Sequence, residues 1–259
     1  MRINGSIIGS NVTPSFLSGA TGVWSMQNVE LANRQIIWPT DIVTNGLVLF
    51  LDANNTNSYP GSGTSWYDLS GNSNSGTLIN GPTFSSTNGG SIVFDGTNDY
   101  ASFPTTLSTY PGTITGWFNS TNSGQILTIT DTTDWHGWII STSNTDINLN
   151  VVAGGGTDSN VSVSNSTTGF RFFSVRLVSA TSRFIDTVIS GNITSTQNTV
   201  SRNPTGLDNL NLARNGGMWA AQYPNYLSGK ISNILIYNRV LSVNEILQNY
   251  NARRDRFGV

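Results

Sequence analysis

Cysteine is absent from this chain of 259 residues. That excludes a disulfide framework and all thiolate chemistry. Charge is scarce as well. Asp, Glu, Lys and Arg make up 10% of the residues, against about 25% in ordinary globular proteins. The net charge is −2 and no basic stripe occurs. Nucleic acid is therefore not an expected partner, because phosphate neutralisation needs clustered cations. No run approaches the roughly 18 apolar residues of a membrane span, so no membrane partner is expected. The segment Met1–Ser6 lacks an apolar h-region, and no secretory signal is expected. Glutamate occurs only as Glu30 and Glu245, and histidine only as His136.

What remains is polar but uncharged. Asn, Ser, Thr and Gly must cover the surface. Seven Trp, eight Tyr and eleven Phe supply a core, so low charge does not signal disorder here. A chain of this length can bury that core in one large unit. An extracellular-looking composition without an export signal points to release by lysis, as from a virion.

Short runs with strand character follow one another. Gly46–Leu51 is continuously apolar and reads as a strand buried on both faces. In Gly112–Phe118, Ile114 and Phe118 share one face while Thr115 and Trp117 share the other. Arg171, Phe173, Val175 and Leu177 fall on one face of a later run. Further strands are expected at 91–95, 125–130, 137–141, 146–152, 184–189, 207–213 and 230–237. Gly, Asn, Ser and Thr separate them, and the stretches 54–65, 85–91 and 157–168 read as loops. Many short strands with regular turn signals predict a sandwich or barrel.

One helix is legible near the C-terminus. Ser242 and Glu245 have the spacing of a capping box, and Val243, Ile246, Leu247 and Tyr250 repeat as one apolar stripe. Residues 1–40 differ from the rest. Pro14 and the glycines at 19 and 22 give an arm-like stretch, with a short helix expected over 25–35. Phe16, Trp24 and Trp38 make this arm too apolar to float free; it is expected either to pack on the sandwich as an edge strand or to dock on another chain as an anchor. Arg253, Arg254 and Arg256 read as a solvated terminal cluster.

Four segments in order resemble the laminin-G-like family of phage and bacterial proteins. They are Gly46–Ala53 with Ser58–Gly63, Trp66–Asn72 leading to Gly76–Leu78, Ile92–Tyr100, and Leu227–Ser242 followed by the helix. The set spans about 46–251. The resemblance implies an all-β fold: a concanavalin A-like jelly-roll sandwich of two antiparallel sheets, with a short C-terminal helix and an N-terminal arm. The division is then 1–40 for the arm and 41–259 for the sandwich. The stretch from Gly22 to Pro39 also resembles the leading segment of structural proteins of tailed phages. It implies a virion surface protein, either a capsid decoration protein or a tail fibre. Expected partners are copies of itself, with a trimer first, other virion proteins, and host glycans. A soluble carbohydrate-binding module is the alternative reading.

A glycoside hydrolase on the same sandwich is the enzymatic rival. It needs two carboxylates flanking the scissile bond. The Glu-x-Asp-x-Glu signature of laminarinase-like enzymes is missing, and no enzymatic activity is expected. A Ser-His-Asp triad would have to use His136, which sits in a loop context. The resemblance also places Asp131 and Asp134 where related folds hold Ca²⁺, with a solvated turn as the plainer reading. Trp135, His136, Trp138, Trp219, Tyr223 and Tyr226 lie in or beside Gly- and Asn-rich segments. Aromatic faces there suit sugar rings, and core or interface packing is the competing role. Asp95 and Asp99 are expected to brace a turn.

Overall fold

The computed structural model describes residues 41–120, 122–154 and 158–259. Phe16, Trp24, Trp38 and the helix expected over 25–35 lie outside the described residues. The first strands are β1 (Leu47–Asp52), β2 (Ser65–Trp66), β3 (Gly76–Ile79), β4 (Thr83–Ser85), β5 (Ser91–Asp95) and β6 (Tyr100–Pro104). Then come β7 (Gly112–Ser120), β8 (Gly124–Thr130), β9 (Gly137–Ser143), β10 (Asp146–Val152) and β11 (Ser159–Ser164). The last are β12 (Arg171–Ser179), β13 (Ser182–Ile189), β14 (Asn192–Asn198), β15 (Asn209–Leu212) and β16 (Ser228–Tyr237). The helices are α1 (Trp219–Gln222) and α2 (Val243–Arg254).

These strands form two antiparallel sheets. The first runs β14-β13-β12-β7-β16-β5-β4, with β1 also on β16, and the second β11-β10-β9-β8-β15-β6-β3-β2. Strand β16 is long enough to hold two partners on one side. Ser228–Ile231 pairs with β5 and Asn233–Tyr237 with β1, while β7 runs along the other side. The fold is the expected two-sheet sandwich.

Alternation explains the core. Ile114 and Phe118 of β7, Phe173, Val175 and Leu177 of β12, and Ile234 and Ile236 of β16 point inward from the first sheet. Trp66, Phe103, Leu127, Ile129, Trp138, Ile140, Ile147 and Leu149 belong to the same core from the second. Each large side chain buried this way contributes about 1.5–3 kcal/mol. Edge-on ring pairs order the layer: Trp66 with Phe103, Tyr110 with Trp138, and Phe118 with Phe173.

A second core lies on the outer face of the first sheet, under α2. Trp117 stacks between Tyr250 and Phe257, with ring centroids at 5.3 and 4.4 Å. This explains why β1 is apolar, and β7 buried, on both faces. Ser242 caps the helix: its hydroxyl accepts from the Glu245 N–H at 3.3 Å, and Glu245 accepts from the Ser242 N–H at 2.8 Å. Ile246 and Tyr250 are buried, whereas Val243 stays exposed. Asn249 fastens the start of the described chain, accepting from the Val43 N–H at 2.9 Å, while the Tyr237 hydroxyl donates to the Val43 carbonyl. Asp95 and Asp99 brace their turn, accepting from the Thr97 and Asp95 N–H groups.

Two sequence expectations need correction, and one strand went unassigned. Residues 159–164 form β11, not a loop; Val161 and Val163 reach the core, and Ser and Asn fill the alternate positions. The polar stretch Asn192–Asn198 forms edge strand β14 on β13. Arg253 and Arg256 are not a solvated tail. Arg256 clamps the buried Asp52 from Nη1 at 2.9 and 3.0 Å, and Arg253 Nε lies 3.5 Å from the same carboxylate.

Candidate functional site

The core-facing side chains of the second sheet are apolar, and its other face is polar. Register across all eight strands aligns Asn160, Asn150, Ile139, Thr128, Asn211, Ser102, Thr77 and Ser65 in one row. Thr128, Thr130 and Asn211 of this face are buried. What covers them is the connection from β15 to β16, which carries α1.

This connection is pinned at several points. The Thr128 hydroxyl donates to the Arg214 carbonyl at 3.1 Å, and the Arg214 guanidinium lies 3.6 Å from the Tyr100 ring centroid. Asn215 closes the loop, its N–H donating to the Pro224 carbonyl at 2.7 Å and its amide to the Tyr223 carbonyl at 2.5 Å. Gly217 has φ +52°, and a Cβ there would stand 2.0 Å from the Asp131 carbonyl oxygen. Only glycine permits that approach.

The contact brings a second loop, 131–136, alongside. The Asp131 carboxylate accepts from the Thr133 N–H at 2.6 Å, the Thr133 hydroxyl at 2.7 Å and the Asp134 N–H at 3.2 Å. These bonds, the Thr133 N–H first, hold its carboxyl below the usual range. Asp208 binds the same loop through the Thr132 N–H and hydroxyl at 3.0 and 2.6 Å. His136 Nδ1 lies 2.9 Å from the Thr205 carbonyl and 3.1 Å from the Thr205 nitrogen. Asp134 stands 3.8 Å from its other nitrogen.

So braced, the two loops set Trp135 against Trp219 edge to face, with centroids 5.2 Å apart. Trp219 lies over Gly137, where a Cβ would come within 3.3 Å of Cζ3. Both indoles are partly exposed, Tyr226 is half-buried, and Tyr223 is 52% exposed. Met218, 37% exposed, adds an apolar side chain that the sequence reading did not single out. Thr132, Thr133, Asp134 and Gln222 are exposed in the same two loops. The arrangement offers flat apolar surface, indole edges and polar groups on a backbone held by many hydrogen bonds.

Trp138 does not belong to it. The residue is fully buried, and its indole faces the core beside Tyr110 at 5.4 Å. Trp135 and Trp138 are three residues apart, and the strand begins between them at Gly137, so they take opposite roles. Asp131 and Asp134, the expected Ca²⁺ ligands, lie together in the loop 131–136. Ca²⁺ takes six to eight oxygens, whereas these carboxylates accept the loop's own N–H and O–H groups. No group of three or more His, Cys, Asp or Glu that could hold a metal occurs among the described residues. Glu245, the one glutamate described, is held at about 2 chiefly by its Arg239 ion pair, with bonds from Ser242. It is ionised at neutral pH and serves the helix start.

The fold is that of an antiparallel, jelly-roll-like β-sandwich. Among solved structures it is similar to the binding domain of Paraclostridial Mosquitocidal Protein 1, at 15% identity and a TM-score of 0.60 over 81% of this chain. It is also similar to the botulinum neurotoxin serotype D binding domain, at 13% identity, a TM-score of 0.59 and 81% of this chain. The botulinum neurotoxin type G receptor binding domain gives 11% identity and a TM-score of 0.59 over 80%. This chain spans about half of each, 52, 52 and 51% of their lengths. No protein-family model and no curated protein sequence matches the chain.

Proposed function

We propose that this chain is a non-catalytic recognition protein that binds carbohydrate on a host surface through the loops 131–136 and 213–226. The observation that carries this is the Trp135–Trp219 pair, partly exposed at loops whose backbone is braced, beside exposed Tyr223. Aromatic faces take the apolar face of a sugar ring, and neighbouring Asn, Thr and Asp groups take its hydroxyls. Preorganisation of the loops lowers the entropy lost on binding. The similar solved structures carry the names of binding and receptor-binding domains, which favours the same use of the sandwich here.

We place the protein on the surface of a tailed-phage particle, as a capsid decoration protein or fibre. The ordered motifs of 46–251 and the apolar arm 1–40 support that setting. In this reading Phe16, Trp24 and Trp38 attach the arm to other virion proteins or to further copies, a trimer being the first expectation. The test is a glycan array probed with the full chain and with Trp219→Ala. Retention on a defined set of glycans, lost in the variant, supports the reading. No retention on any glycan, or retention unchanged by Trp219→Ala, overturns it.

A further inference from the structure

Asp52 is 4% exposed, and two guanidinium groups converge on it. Both terminal nitrogens of Arg256 are engaged: Nη1 grips both Asp52 oxygens, and Nη2 donates to the Ser232 hydroxyl at 2.9 Å, while its Nε is without a partner among the described residues. Those of Arg253 are not. A guanidinium carries five N–H donors. Among the described residues Arg253 makes one hydrogen bond, from Nη1 to the Ala252 carbonyl at 2.9 Å. Its Nε stays 3.5 Å from Asp52 without completing a hydrogen bond. Its side chain is only 20% exposed. Two cations and one carboxylate leave one net positive charge in a partly desolvated place, where unused donors are costly.

This charge faces a cleft of about 450 Å³ lined, besides Asp52, the two arginines and Ala252, by Asn54, Asn55 and Thr56. These last three are exposed and uncharged. The Asn55 side-chain oxygen accepts from the Asn57 N–H at 2.9 Å, which turns its amide NH₂ to other use. A planar guanidinium with free N–H groups, beside amide and hydroxyl donors, matches an oxyanion.

We propose that the cleft between the β1 end and the C-terminal end of α2 is an oxyanion-binding site for a sulfate, phosphate or carboxylate group, held by Arg253 with Asn54, Asn55 and Thr56. It uses none of the residues of the aromatic loops and stands or falls separately from them. The oxyanion is either free in solution or carried on an acidic sugar.

The probes are inorganic sulfate, a sulfated monosaccharide and its unsulfated parent, titrated calorimetrically into the full chain at constant ionic strength. Sulfate is expected to bind saturably. Arg253→Gln should weaken it at least about tenfold, the worth of one charge-assisted contact. Asn55→Asp keeps the acceptor for the Asn57 N–H but puts a negative charge at the mouth, and should weaken binding similarly. It decides the matter where Arg253→Gln does not fold, and unfolding curves show which case applies. Tighter binding of the sulfated sugar than of sulfate identifies a sugar-borne anion, and equal binding a free one; both support the site. Absence of saturable binding by the native chain, or equal affinity in native and folded variant proteins, overturns it.

Discussion

The Trp135 ring meets the Trp219 ring edge to face, at an interplanar angle of 86°. The two residues come from different loops, and each loop is braced by its own hydrogen bonds. An aromatic pair of this geometry is worth about 0.5–1.5 kcal/mol beyond the area it buries. Trp219→Ala should therefore lower the unfolding free energy by about 1 kcal/mol while removing carbohydrate retention. Trp138→Ala should cost about 3–5 kcal/mol, because it empties a core position. Denaturant unfolding of both variants checks this. A Trp219 variant as unstable as the Trp138 variant would make Trp219 a packing residue.

Asp186 is completely buried and pairs with Arg176 through two hydrogen bonds at 2.8 and 2.9 Å. The Ser195 hydroxyl donates to the same carboxylate at 2.5 Å. Removing one partner of such a pair leaves an uncompensated charge and costs about 3–5 kcal/mol. Asp186→Ala should shift the unfolding midpoint accordingly. A shift below about 1 kcal/mol would mean that the pair is solvated in solution.

The capping box of α2 is the smaller contribution. Ser242→Ala should destabilise the chain by about 1 kcal/mol, since the hydroxyl accepts from the Glu245 N–H. Acid should act through the same place. The Glu245 carboxyl is depressed to about 2 in the folded state, below its ordinary 4.5. Its stabilising contribution is thus complete above about 4.5 and is lost as pH falls towards 2. Glu245→Gln should flatten this part of the stability–pH curve, measured by thermal unfolding between those values.

The fragment 41–259 should fold alone, because it has both cores and its first residues are fastened by Asn249 and Tyr237. A single cooperative unfolding transition is expected. Removing 1–40 should abolish incorporation into the particle in the reading given above. Incorporation of 41–259 at the native level would refute the arm as the attachment device.

The helix start was legible in the sequence because its signal is local: Ser242 and Glu245 lie three residues apart and need no distant partner. The inward residues of β7 and β12 were legible for the same reason, since burial on one face imposes a period of two. Strands β11 and β14 were not, because their outward positions are Ser, Asn, Thr and Gln, which a loop also uses. Their strand character comes from neighbours that supply the hydrogen-bonding ladder, a relation outside any short window.

The sequence by itself determined the all-β class, the apolar set that fills the sandwich, and the capped helix, because periodicity and capping are properties of neighbouring residues. Only the tertiary structure decided which tryptophans are surface and which are core. Trp135 and Trp138 are only three residues apart in the chain, but Gly137 begins a strand whose pleat turns Trp138 inward. Tertiary contact likewise decided that Arg256 belongs to Asp52, 204 residues away in the chain. A charged side chain is placed by the partner that offsets its desolvation, and that partner is set by how the sheets and the helix pack.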